Sequence, residues 1–190
     1  NVWADDIGFA LDQLAAWNEA EGSDFASRLD LSKIGAFGHS TGGGTTVEFC
    51  GRDERCQAGV GLDPWLTPVS EDIMTAGLSQ PFLFLRADQW IADDSGENFA
   101  IARTLLAGLE ETGYLATIAG ADHFDFSDLP LFSPLTPQLG LSSTMDSEYV
   151  VEMMTQMTAA FFRQELNGEG ENLVFGAMVY PEMSLVGNGR

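Results

Sequence analysis

The pentapeptide Gly38-His39-Ser40-Thr41-Gly42 has the form G-x-S-x-G and lies between a short apolar run, Ile34 to Phe37, and a segment with helical character, Gly42 to Phe49. Between a strand and a helix, that pattern reads as a nucleophile elbow. The sharp turn forces the serine into a strained backbone conformation, and small neighbours let strand and helix approach closely enough to hold it there. Ser40 Oγ would then stand at the carboxyl edge of a sheet and at a helix start, where the helix dipole and the Thr41 N–H favour a developing oxyanion. The plain alternative is a glycine-rich helix start that needs only close packing; the strand and helix on either side weigh against it.

A serine hydroxyl is a weak nucleophile until a base takes its proton, and the chain has two histidines. His39, next to Ser40, points away from it and reads as a packing or hydrogen-bonding residue. His123, in the loop Gly120-Ala121-Asp122-His123-Phe124 after the last strand candidate, is the base by elimination. Two aspartates at strand ends, Asp63 and Asp88, lie between serine and histidine in the chain, and either could hold the imidazole in the required tautomer. Asp125 and Asp128 sit too close to His123 in sequence to reach its far nitrogen easily. Trp65, Trp90, Phe124 and Phe126 lie beside the candidate acids and base and would shape an acyl or alcohol pocket. For Trp90, ordinary packing is an equal alternative.

These groups need a frame. Trp3, Ile7, Leu11 and Leu14 recur at helical spacing over residues 2 to 17. After a polar stretch come four short apolar runs, Ile34 to Phe37, Ala58 to Leu62, Phe82 to Leu85 and Tyr114 to Ile118, separated by helical segments that include Asn98 to Leu109. Short apolar runs without clean alternation are the mark of a parallel sheet covered on both faces, so the expected class is α/β. A loop broken by Pro130, Pro134 and Pro137 follows, of the size often found in lids. Val150, Met154, Met157 and Phe161 define a last amphipathic helix, and residues 167–190 read as a polar-to-apolar extension of the domain in 1–166.

Composition narrows the function. Eight Lys and Arg against 29 Asp and Glu leave a formal net charge of -21, with no basic patch for a nucleic-acid backbone or an anionic membrane. Yet 45% hydrophobic residues, with 13 Phe and 4 Trp, belong to a folded domain rather than an acidic tail. No apolar run reaches the roughly 18 residues of a transmembrane helix. Cys50 and Cys56 are spaced for a local bridge or for two buried thiols, and with two His they fit no zinc motif, so neither metal nor cofactor is expected. The acidic charge is the sole support for a calcium- or salt-dependent binding domain, and no D-x-D-x-D-G loop is present.

Four segments together, Gly38-His39-Ser40-Thr41-Gly42-Gly43, Arg55 to Trp65, Gln80 to Leu85 and Ala121 to Asp128, resemble the plasma-type platelet-activating factor acetylhydrolase family and its bacterial relatives. The resemblance runs from about residue 2 to about residue 166. It implies an α/β-hydrolase fold, a serine ester hydrolase with a Ser40-Asp63-His123 triad, and Thr41 as an oxyanion donor. It favours Asp63, in the Leu-Asp-x-Trp segment, over Asp88, the acid that a dienelactone-hydrolase-like or polyester-hydrolase pattern would use. Members tend to be secreted, which is consistent with an extracytoplasmic protein and a Cys50–Cys56 bridge. A complete hydrolase of this kind has about eight strands, and the four runs correspond to the fifth to eighth. The resemblance therefore implies a carboxyl-terminal part without the second oxyanion donor. On its own that part is expected to be marginally stable, to associate through an unpaired strand and to act slowly as an esterase; the alternative is an inactive fragment that associates through the exposed sheet edge. The expected substrate is a small neutral or lipid-like ester, such as a short-acyl ester or an oxidised phospholipid.

Overall fold

The computed structural model describes residues 2–89, 96–169 and 179–189. Helix α1 (Val2–Glu19) leads to strand β1 (Ile34–His39), followed by α2 (Thr41–Arg52), β2 (Cys56–Leu62), α3 (Glu71–Ala76), β3 (Phe82–Gln89), α4 (Glu97–Gly108) and β4 (Gly113–Asp122). A short 3₁₀ turn, His123–Phe126, a one-turn helix α5 (Leu129–Phe132), a second 3₁₀ turn, Pro137–Leu139, the long helix α6 (Ser147–Asn167) and β5 (Met183–Gly187) complete the elements of the described residues. The sheet order is β1-β2-β3-β4-β5; the first four strands are parallel and β5 is antiparallel to β4. This is the expected α/β class, with helices on both faces.

Strand β3 shows why its apolar run does not alternate. Phe82 and Phe84 enter one core, with Val47, Phe49, Leu105 and Leu109, while Leu83 and Leu85 enter the other, with Val60, Ile118, Met153 and Phe161. All four β3 side chains are fully buried, so neither face has a solvent side to mark with polar residues. Helix α6 covers the second core with Val150, Met154, Met157 and Phe161 at the predicted spacing, joined by Met153. It starts where the Asp146 side chain accepts the Tyr149 N–H (3.0 Å) and stops at Gly168 with φ 65°.

The tail corrects the sequence reading, which places no strand there. Met183–Gly187 extends the sheet along β4, with Leu115 opposite Val186 and Ile118 opposite Met183. Five residues with one weak alternation carry little signal, and the pairing is long-range.

Cys50 and Cys56 form a disulfide that joins the end of α2 to the start of β2. Closing a loop with a sequence separation of 6 removes denatured-state entropy worth about 2 kcal/mol. The double variant Cys50→Ala/Cys56→Ala should lose about that much stability in urea unfolding; an unchanged midpoint would show that the bridge adds none.

Candidate active site

Ser40 sits between β1 and α2 with φ 54° and ψ -121°, a conformation that costs a non-glycine residue about 1–3 kcal/mol and persists only where surroundings enforce it. The enforcement is visible. The Ser40 N–H donates to the Leu62 carbonyl (3.0 Å), and the Ser40 carbonyl accepts from the N–H groups of Gly43 (3.0 Å), Gly44 (3.2 Å) and Trp65 (2.8 Å). A Cβ on Gly38 would lie 2.4 Å from the Gly42 backbone, and one on Gly44 would lie 2.2 Å from the Trp65 carbonyl oxygen. The glycines thus let β1, α2 and the segment after β2 converge on one residue. Thr41 is the first residue of α2, so its N–H is among those a helix leaves without an intrahelical acceptor.

The carboxyl ends of β1, β2 and β4 bring Ser40, Asp63 and His123 together. His123 Nδ1–H donates to Asp63 Oδ2 at 2.6 Å, and Ser40 Oγ–H donates to His123 Nε2 at 3.0 Å. Because the carboxylate can only accept, Nδ1 carries the proton and Nε2 is left as the acceptor for the serine. Asp63 and His123 are almost wholly buried. Asp63 has φ 42° and is fixed twice more: its N–H donates to the Leu85 carbonyl (2.6 Å), and its Oδ1 accepts the Ala87 N–H (2.9 Å). Asp88 faces elsewhere, with Oδ2 accepting the Gly120 N–H at 3.3 Å.

Several supporting residues were invisible in the sequence. Asp122 Oδ1 accepts the His123 N–H (2.7 Å), and the buried Asp125 accepts the N–H groups of Asp122 (2.8 Å) and Ser143. This reciprocal cap fixes the turn that carries His123. Asn98, on α4, clamps the segment after Asp63, donating to the Pro64 carbonyl (2.7 Å) and accepting the Leu66 N–H (2.6 Å). An Asp or Asn near a helix start is too common for its partner to be read from sequence.

His39 is not a bystander. Its Nε2–H donates to the His123 carbonyl (3.0 Å), and the two rings lie 4.6 Å apart between centroids. Burial, and then the neighbouring His123, lower the His39 pKa from the ordinary histidine value, so the ring is neutral at neutral pH.

Of the expected pocket residues, Phe124 packs edge-on against the His123 ring, with centroids 5.3 Å apart, and Trp65 is partly exposed beside the elbow. Phe126 is buried in the core under α6 and contributes to the wall of a groove shared with Phe37 and Leu62. Trp90 lies outside the described residues.

Comparisons with known proteins place the chain in a family. The family model described as platelet-activating factor acetylhydrolase, isoform II, matches residues 17–176. The chain belongs to that family. Among curated acetylhydrolases, the platelet-activating factor acetylhydrolase of Gallus gallus is 26% identical over 155 residues, which cover 80% of this chain and 34% of the relative. That of Cavia porcellus is 27% identical over 161 residues, covering 77% of this chain and 36% of the relative. A solved ferulic acid esterase from Streptomyces cinnamoneus superposes with a TM-score of 0.78 at 25% identity, over 97% of this chain and 54% of that one. The fold is that of an α/β hydrolase. The chain spans about a third of the length of the acetylhydrolases it matches.

Proposed function

We propose that this acetylhydrolase-family chain hydrolyses a small neutral or zwitterionic carboxylic ester through a Ser40-His123-Asp63 triad and an acyl-enzyme. The observation that carries the reading is the continuous hydrogen-bonded path from Ser40 Oγ through His123 to Asp63. In this reading Ser40 Oγ attacks the ester carbonyl carbon while His123 Nε2 takes its proton, and the Thr41 N–H stabilises the tetrahedral oxyanion. His123 returns the proton to the departing alkoxide, leaving an ester on Ser40. Water then attacks that ester by the same route and releases the acid. Asp63 holds the imidazole and stabilises its charged form throughout. A net charge of -21 disfavours anionic substrates; the relatives named for acetyl and ferulic esters have in common a carboxylic ester, and Trp65 and Phe124 suit an apolar acyl or alcohol group.

The site also calls for a neighbour beyond β1. Among the described residues β1 pairs with β2 alone, its Phe37 side chain is 62% exposed, and apolar grooves of about 520 and 460 Å³ flank it. We propose that a further strand of a longer polypeptide covers this edge and brings the second oxyanion donor, a group worth at least about a hundredfold in rate. Turnover of p-nitrophenyl acetate and molecular mass should be measured for the 190-residue chain and for the product of its complete reading frame. The expected result is slow turnover and self-association for the chain alone, against at least about a hundredfold faster turnover in the longer form. A compact, fully active monomer from the 190 residues would overturn the need for a neighbour, and no hydrolysis by either form would overturn the esterase reading.

A further inference from the structure

Ser40 and His123 stand at the ends of β1 and β4, and β2 and β3 lie between those strands in the sheet. Their 3.0 Å contact therefore depends on a separation that any change in sheet twist would alter. The His39 side chain spans this gap. His39, the last residue of β1, reaches over the strand ends, donates Nε2–H to the His123 carbonyl at 3.0 Å and lays its ring against the His123 ring. It adjoins Ser40 in the chain, so it ties the backbone that carries the nucleophile directly to the backbone that carries the base.

We infer that His39 is a positioning residue that sets the Ser40–His123 distance, an inference that rests on the esterase reading of the site. Its Nε2–H is committed to the His123 carbonyl, so the role inferred for it is a tie between the two backbones. Its neutral state matters too: burial and then His123 lower its pKa against the opposing effects of the His123 carbonyl and Asp63, and a charged ring at this distance would oppose the imidazolium that forms on His123 during acyl transfer. An apolar side chain of similar bulk would fill the space but leave the His123 carbonyl without this donor. A glutamine can present an amide N–H near the position of Nε2.

The test compares wild type, His39→Leu and His39→Gln in the full protein. The readouts are kcat and KM for p-nitrophenyl acetate, the rate at which a small fluorophosphonate modifies Ser40, and the thermal midpoint. Misplacement of a reacting group by about 1 Å can cost on the order of a hundredfold, so His39→Leu should lower kcat and the phosphonylation rate together by about ten- to a hundredfold while KM stays within about twofold. His39→Gln should recover most of the loss. Equal rates in wild type and His39→Leu would overturn the inference, as would equal losses in the two variants or losses that only follow the thermal midpoint. Failure of the wild type to be modified at Ser40 would instead strike the esterase reading itself, so the two failures are distinguishable.

Discussion

Ser40→Ala is expected to lower kcat for a short-acyl ester by roughly five to six orders of magnitude, the scale seen when a triad nucleophile is removed. What survives should be the residual acceleration due to substrate binding and the oxyanion donor. The fold should be indifferent, because Ser40 is held through its backbone: four main-chain hydrogen bonds, to or from Leu62, Gly43, Gly44 and Trp65, remain when the hydroxyl goes. Matching thermal midpoints with turnover lost would place the effect in the chemistry. Unchanged turnover in the variant would remove Ser40 from the mechanism.

Asp63→Asn should cost about 10⁴ in kcat, whereas Asp88→Asn should cost little. The difference follows from the partners of the two carboxyl groups. Asp63 Oδ1 accepts the Ala87 N–H while Oδ2 faces His123 Nδ1. An amide that keeps its oxygen toward Ala87 must turn its NH₂ toward Nδ1, which then has to accept. The imidazole proton moves to Nε2, the atom that should receive the serine proton, and the base is lost. Asp88 meets only a backbone N–H in its described contact, that of Gly120. If Asp88→Asn proves the crippling change, the acid has been misassigned and the site works on the dienelactone-hydrolase pattern instead.

How much of this was legible depends on whether the information was local. The elbow could be read because five consecutive residues and their flanking periodicities carry it, and His123 because the chain has only one other histidine. The acid could not be decided from the residues: Asp63 and Asp88 both end apolar runs, and what separates them is the backbone turn at Asp63, φ 42°, that aims its carboxylate at His123. The resemblance to the acetylhydrolases, not the spacing, pointed to Asp63. The role of His39 could not be read locally, because its partner lies 84 residues away. The same holds for the clamp from Asn98 and for β5, whose five residues gain their meaning from β4. Elements that bury a whole face, such as β3 and α6, were the plainest to read because burial is written into every residue of the run.

The most direct test of the central claim is to treat the protein of the complete reading frame with a small fluorophosphonate and locate the adduct by peptide mass spectrometry. The account predicts one phosphonyl group per chain, on Ser40, with loss of ester hydrolysis in proportion to labelling, no adduct in Ser40→Ala and much slower labelling in Asp63→Asn. A folded protein that hydrolyses esters with Ser40 unmodified, or that carries the adduct on another residue, would contradict it.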